Sequence, residues 1–110
     1  MKKDDFEFVR HILESIELIE SYTGEISKEE FIKDREKSDA VVMRLAVIGE
    51  ATKNLSQGFR DEHDTINWKE LAGIRDVLIH QYFAVDLDAV WGIIKTMLPP
   101  IKAKLTELQN

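Results

Sequence analysis

The segment of residues 75–83, RDVLIHQYF, holds the residue types best suited to chemistry in this chain. His80 can take up and release a proton near neutral pH, and the planar guanidinium of Arg75 can bind two oxygens of one phosphate group. Metal-free cleavage of RNA needs a base for the ribose 2′-hydroxyl, an acid for the leaving oxygen and a cation beside the phosphorus. The segment therefore offers the groups needed to cleave an RNA phosphodiester.

The spacing of these residues predicts where they would lie on a helix. At about 100° per residue, Asp76 and His80 form an i,i+4 pair on one face, where the carboxylate would orient the imidazole. Arg75 would lie about 140° from His80. The two meet only if His80 leaves helical geometry or a second chain supplies one of them. We therefore expect a shared site at a dimer interface.

On spacing alone, a structural interpretation of the same residues is favoured. A histidine in the last turn of a helix is a favourable partner for the helix dipole, and neighbouring Arg75 and Asp76 can form a solvated pair. Tyr82 would then be an interfacial aromatic residue whose hydroxyl reaches water.

The elements that position this segment are predicted to be helices throughout. Apolar residues recur at three- and four-residue steps, and the chain has only 5 Gly and 2 Pro, which predicts an all-α, up-and-down bundle of four or five helices. The first predicted helix covers about residues 5–22, and a short helix follows the capping box of Ser27 and Glu30. Two further helices are predicted over about residues 38–56 and, after an Asn67 cap, about residues 68–79. The last helical region runs from Asp86 across Pro99-Pro100, as one kinked helix or two abutting ones. We expect residues 57–66 to be a loop and Gly73 to allow close approach of a neighbouring backbone.

Length and composition limit the classes of protein that fit. A chain of 110 residues supports one core, so a single domain over residues 1–110 is predicted. The chain has no Cys, which excludes disulfides and thiolate chemistry. It also has no run of apolar residues long enough for a membrane helix. We therefore expect a cytoplasmic protein without membrane contact. The net charge of −6 means that any contact with nucleic acid must be local.

The same segment resembles the signature of the HEPN superfamily, an Arg followed after four to six residues by a His. Arg75, Asp76 and His80 fill these places with four intervening residues, although the family more often has Asn at the second position. Tyr82 extends the similarity to the HepT-like subgroup. The similarity covers nearly the whole chain, including Arg44 with residues 48–51, residues 68–73 and residues 86–99.

This resemblance implies a homodimeric helical bundle with two motifs in one cleft, acting as a metal-independent endoribonuclease on RNA without a cofactor. It implies that Arg75 and His80 are catalytic and that Asp76 supports them. It further implies a type VII toxin–antitoxin pair in which the partner, an MNT-type nucleotidyltransferase antitoxin, transfers AMP to Tyr82. The added negative charge and bulk would then block the cleft.

Other candidate residues carry weaker signals. Arg44 and Glu50 are predicted to be a buried polar pair that lines the cleft or supports it. His63 lies among acidic residues and could bind a metal, but a solvated loop is favoured and no metal site is predicted. His11 is expected on a helix surface, and Met43, Trp91 and Met97 in the core or a dimer interface.

Two other functions remain open from the sequence. The chain could be a non-catalytic helical partner that presents a substrate or nucleotide to a separate nucleotidyltransferase, or it could be a plain scaffold domain. An intact Arg75 and His80 pair favours the ribonuclease, because a docking module would not need it.

Overall fold

The structure, a computed structural model, describes residues 3–81 and 84–109 of the chain. The predicted all-α fold is confirmed, and in the described residues the helices are interrupted only by turns and one short hairpin. The helices are α1 (Lys3–Thr23), α2 (Lys28–Lys33), α3 (Arg35–Asn54), α4 (Gln57–Glu62), α5 (Trp68–Ala72), α6 (Ile74–Leu78), α7 (Leu87–Gly92), a π-helical turn (Ile93–Met97) and α8 (Leu98–Gln109). The hairpin pairs β1 (Ile79–Gln81) with β2 (Ala84–Val85) in antiparallel fashion.

Helix α3 is the centre of the bundle. It packs along α1 on one side and contacts α2, α5 and α6 on others, while α8 packs against α1. The core that results contains fully buried side chains from α1, α3, α5, α6 and α8: Ile16, Leu45, Leu71, Ile74 and Leu105. Each such side chain stabilises the fold by about 1.5–3 kcal/mol.

Three of the predicted helix caps are confirmed. Ser27 Oγ accepts a hydrogen bond from Glu30 N while the Glu30 side chain accepts one from Ser27 N, which is the capping box at the start of α2. Asn67 Oδ1 caps α5 by accepting a hydrogen bond from Glu70 N at 3.0 Å. Asp86 Oδ1 caps α7 by accepting one from Ala89 N at 3.0 Å. These signals are local, so the sequence reveals them directly.

Three predicted elements have wrong bounds, and one of them is the single helix predicted over about residues 68–79, which is divided at Gly73 into α5 and α6. Helix α3 begins at Arg35 rather than near Ser38, because the Asp34 side chain accepts a hydrogen bond from Lys37 N at 3.1 Å and caps the helix earlier. Residues 57–66 were predicted to be a loop, yet Gln57–Glu62 form α4. Ser56 caps this helix and Phe59, only 2% exposed, anchors it in the core.

The region from Asp86 across the two prolines is one continuous helical run. Pro99 and Pro100 have no N–H, and their rings crowd the carbonyl groups four residues earlier. Directly before them the helix widens into the π turn, where Leu98 N donates to Ile93 O. This i to i−5 bond gives the prolines room without ending the helix. No helix in the described ranges is long and apolar enough to cross a bilayer.

Candidate active site

Helix α6 carries the first half of the predicted motif and is held by its buried face. Ile74 and Leu78, one helical turn apart, are 0% and 1% exposed, whereas Asp76 between them is exposed. The backbone at Arg75 therefore belongs to a short helix whose apolar face is fixed in the core.

Gly49 lies where α3 passes close to α5, the helix that leads into the motif. A Cβ atom built at Gly49 would lie 3.6 Å from Leu71 O and 3.7 Å from Ala72 O, both in α5. The close approach of a neighbouring backbone that was predicted for Gly73 is not found, since the backbone atoms near its Cβ belong to the preceding turn of α5. Gly73 instead ends α5, where its own Cβ would lie 3.3 Å from Lys69 O in the preceding turn.

The second half of the motif leaves the helix. Helix α6 ends at Leu78, and His80 lies on β1. Ile79, the residue before His80 on this strand, pairs with Val85 of β2. Asp86 N donates to Leu78 O at 3.1 Å, which ties the hairpin to the start of α7. The helical i,i+4 pairing predicted for Asp76 and His80 is therefore wrong, because no helix continues as far as His80.

The structure describes the predicted site residues only in part. The backbones of Arg75 and Asp76 lie in α6, and that of His80 lies in β1. The side chains of Arg75 and His80 lie outside what the structure describes, and so does the whole of Tyr82, which falls between β1 and β2 in the sequence.

Arg44 and Glu50 lie on α3 but do not form the predicted buried pair. Glu50 is exposed, Arg44 is half-buried, and within the described residues neither side chain makes a hydrogen bond or an ion pair. Because Glu50 is exposed to solvent, its charge needs no partner of opposite charge in the interior.

The remaining candidate residues take structural positions. The His63 ring packs on Phe59 with centroids 4.6 Å apart, and the described residues contain no cluster of three or more potential metal ligands. His11 is exposed on α1, as expected. Trp91 packs on Phe31 with centroids 5.3 Å apart, whereas Met43 is 59% exposed.

An open groove of about 690 Å³ borders the hairpin. Its apolar lining comes from α2, α3, β2 and α7: Ile32, Val42, Met43, Ala46, Val85 and Leu87. Lys33, Arg35 and Asp39 also line it. We call this feature the α3 groove. The sequence gives no signal for it beyond Met43, because it forms only when four separate elements meet.

A buried carboxylate that the sequence analysis did not single out connects α1 to the start of α4. Asp5 is 2% exposed; its Oδ1 accepts from Ser56 N at 2.9 Å and its Oδ2 accepts from Ser56 Oγ at 2.8 Å. The two residues are far apart in sequence, so no local pattern could pair them. The contact holds the end of α3 and the start of α4 against the first turn of α1.

The clearly shifted pKa values among the described residues belong to surface ion pairs. The hydrogen bond to Glu7 raises the pKa of Arg10, and the hydrogen bond to Glu20 raises the pKa of Lys102. Both pairs lie at the protein surface and are partly exposed to solvent, so neither contributes much to stability.

Comparisons with known proteins agree on one family. Residues 12–108 match the family described as ribonuclease HepT-like. A protein of Thermococcus cleftensis named "Probable ribonuclease HepT" is 41% identical over 110 residues, which cover 100% of both chains. A protein of Caldanaerobacter subterraneus subsp. tengcongensis whose name designates an RNase is 43% identical over 102 residues, 92% of this chain and 90% of its own.

A longer relative matches equally well. A protein of Methanocaldococcus jannaschii is 44% identical over 110 residues, and this chain spans 50% of its length. The name of that protein designates it both a gamma-glutamylcyclotransferase and an RNase. No solved structure matches the chain. The match over residues 12–108 and the full-length similarity to the Thermococcus cleftensis protein establish that this chain belongs to the HepT-like ribonuclease family.

Proposed function

We propose that this chain is a metal-independent endoribonuclease in which Arg75 and His80 act together in a cleft shared by two copies. The observation that most supports this is the end of α6 at Leu78. On a continuous helix the two side chains would diverge by about 140°. Because His80 lies on a strand after the helix ends, that divergence no longer applies.

The chemistry assigned to the site is transesterification within the RNA. His80 removes the proton from a ribose 2′-hydroxyl, and the oxygen attacks the adjacent phosphorus. The bond to the 5′-oxygen of the next nucleotide breaks, and that oxygen takes a proton from a second acid, for which the partner subunit's own motif is the candidate. Arg75 balances the negative charge that builds on the phosphate oxygens. The products are a 2′,3′-cyclic phosphate and a 5′-hydroxyl.

Asp76 is assigned a supporting role. Its side chain is exposed on α6 beside Arg75 rather than one helical turn from His80. An exposed polar group there can hydrogen-bond to a cleft residue or to RNA without the cost of burial.

We assign Tyr82 to regulation, within a toxin–antitoxin pair. An MNT-type nucleotidyltransferase would join the phenolic oxygen of Tyr82 to the α-phosphate of ATP, with loss of the phenolic proton and release of pyrophosphate. Each AMP adds about one negative charge near Arg75, the cation to which the RNA phosphate is proposed to bind. Family membership supports this assignment, as does the position of Tyr82, which follows the strand of His80 in the sequence.

The test is RNA cleavage by purified Arg75→Ala and His80→Ala in the presence of EDTA. Wild type should cut RNA and both variants should be inactive while remaining folded by circular dichroism. Arg10→Ala and His11→Ala are matched controls, because they remove the same residue types from the surface of α1.

Cleavage by either site variant, or loss of wild-type cleavage in EDTA, would contradict the assignment. An inert wild type that still binds a nucleotidyltransferase would favour the alternative function, a non-catalytic helical partner.

A further inference from the structure

Asp86 closes the short hairpin on which His80 lies. Its backbone N–H donates to Leu78 O at 3.1 Å, and its side-chain Oδ1 accepts a hydrogen bond from Ala89 N at 3.0 Å. Its carbonyl oxygen accepts from Val90 N at 3.0 Å, in the first turn of α7. These contacts join the end of α6 to the start of α7 through one residue.

Both ends of this connection are fixed in the core. The side chains of Leu78 and Val90 are buried. The chain between Leu78 and Asp86 covers residues 79–85, and the bond from Asp86 N to Leu78 O closes it at its base. The placement of the hairpin relative to α6 and α7 therefore depends on this bond.

The pairing of the two strands gives His80 a special backbone position. Ile79 pairs with Val85 and Gln81 pairs with Ala84, so two steps along β1 correspond to one step along β2. His80 is the additional residue on β1 and forms a β-bulge. A bulge bends its strand and redirects side chains, and bulges are over-represented next to active sites. The geometry of the proposed catalytic histidine is therefore the geometry of this bulge.

A hairpin this short does not hold such a bulge by itself. The strand β1 has 3 residues and β2 has 2, and an isolated two-stranded hairpin is only marginally stable in water. Within residues 3–81 and 84–109 no third strand extends the sheet. The bulge therefore relies on the contacts at its base, where Asp86 lies.

The carboxylate of Asp86 controls these contacts through the backbone. Asp86 has φ −83° and ψ 93°, an extended conformation, and its Oδ1 bonds to the third residue of α7. A cap of this kind stabilises the extended conformation of the residue that precedes a helix. Without the cap the first turn of α7 can fray, and the N–H of residue 86 is no longer held towards Leu78 O.

We propose that Asp86 is a positioning residue of the ribonuclease reaction. Its carboxylate caps α7, the cap holds the Asp86 N–H on Leu78 O, and that bond fixes the bulge at His80. Asp86 acts on the reaction through the backbone of His80 rather than through contact with RNA. This inference deepens the proposed ribonuclease function and rests on it, because the role requires that His80 is catalytic.

The test compares Asp86→Ala, Asp86→Asn and Ser27→Ala. Asparagine keeps an acceptor oxygen and caps helices about as well as aspartate, whereas alanine has no acceptor. Ser27→Ala is the matched control, because it removes the same kind of bond, to the third residue of α2, which like α7 has 6 residues. The two alanine variants should lower the urea midpoint by similar amounts, so a difference in activity between them does not reflect stability.

Cleavage kinetics measure the positioning role. Asp86→Ala should lower kcat by about tenfold or more and leave KM for RNA within about threefold of wild type, because Arg75 stays on α6 while the bulge at His80 is displaced. Asp86→Asn and Ser27→Ala should stay within about threefold of wild type in both constants. An equal kcat for the two alanine variants, or no recovery in Asp86→Asn, would overturn the proposal.

Amide hydrogen exchange measures the closing bond without RNA. The amide of residue 86 should be protected in wild type, Asp86→Asn and Ser27→Ala, and its protection should fall by about tenfold or more in Asp86→Ala. An unprotected amide in wild type, or equal protection in Asp86→Ala, would overturn the contact. A wild type that cuts no RNA would contradict the ribonuclease function whatever the exchange shows, whereas normal cleavage by Asp86→Ala would contradict the positioning role alone.

Discussion

The contact between Asp5 and Ser56 should contribute more to stability than any surface ion pair among the residues that the structure describes. Asp5→Ala removes the acceptor for two hydrogen bonds, from Ser56 N at 2.9 Å and Ser56 Oγ at 2.8 Å, at a side chain that is 2% exposed. A hydrogen bond to a charged group contributes about 1.5 kcal/mol or more, so the loss should be about 3 kcal/mol.

Asp4→Ala is the matched control for this prediction. Both acids lie in the first turn of α1 and favour the helix dipole by about 0.3–1 kcal/mol, but Asp4 is exposed. The difference between the two variants therefore isolates the contact with Ser56 and should be at least about 2 kcal/mol. In a domain of this size that corresponds to a lowering of Tm by at least about 8 °C.

Urea denaturation of the two variants, with Ser56→Ala and the double variant, measures the contact. The cycle should give a coupling free energy of about 1.5 kcal/mol between Asp5 and Ser56. Ser56→Ala alone also removes the cap on α4, which accepts from Phe59 N at 3.2 Å, at a cost of about 1 kcal/mol. If Asp5→Ala were no less stable than Asp4→Ala, the contact would not stabilise the fold as reasoned here.

Four further predictions follow from the structure and the proposed function. Gly24→Ala should lower the free energy of unfolding by about 1 kcal/mol or more, because the new Cβ would lie 2.9 Å from Glu20 O. Gly49→Ala should be neutral or stabilising by up to about 1 kcal/mol, because its Cβ would lie 3.6 Å from Leu71 O, and equal urea midpoints for the two variants would refute this contrast. Asp76→Asn should retain more RNA cleavage than His80→Ala, since a polar group remains, and equal loss would make Asp76 essential. Tyr82→Phe should stay toxic beside the cognate nucleotidyltransferase and gain no AMP mass, and an equal mass increment on both proteins would place the modification elsewhere. RNA binding should weaken steeply with salt, with a logarithmic slope of about −0.7 per phosphate contact, and a flat response would exclude phosphate contacts as its source.

The parts of this fold that the sequence predicts are those set by local chemistry. Ser27, Asn67 and Asp86 are caps whose partners lie three residues away, so their roles are readable from the sequence. The Asp5 contact joins distant segments, and its side chain looks like an ordinary acidic start of a helix. Helix α4 was missed because it is short and buries only Phe59 within a polar sequence.

The sequence predicts which residues form the candidate site, and the structure changes the backbone geometry expected for two of them. The helical spacing that links Asp76 with His80 ends at Leu78, where the chain turns into β1. A signal for this change was present: residues 79–85 are rich in Ile, Tyr, Phe and Val, which favour strands over helices. The α3 groove could not be predicted, because it depends on how α2, α3, β2 and α7 pack together.

The identity of the RNA ends left by the purified wild-type chain in EDTA tests the central claim most directly. The proposed transesterification requires the 2′-hydroxyl, so the account predicts 2′,3′-cyclic phosphate and 5′-hydroxyl ends, and no cleavage of the same strand carrying 2′-deoxy or 2′-O-methyl riboses throughout. Ends with a 3′-hydroxyl and a 5′-phosphate, or equal cleavage of the 2′-deoxy strand, would contradict it.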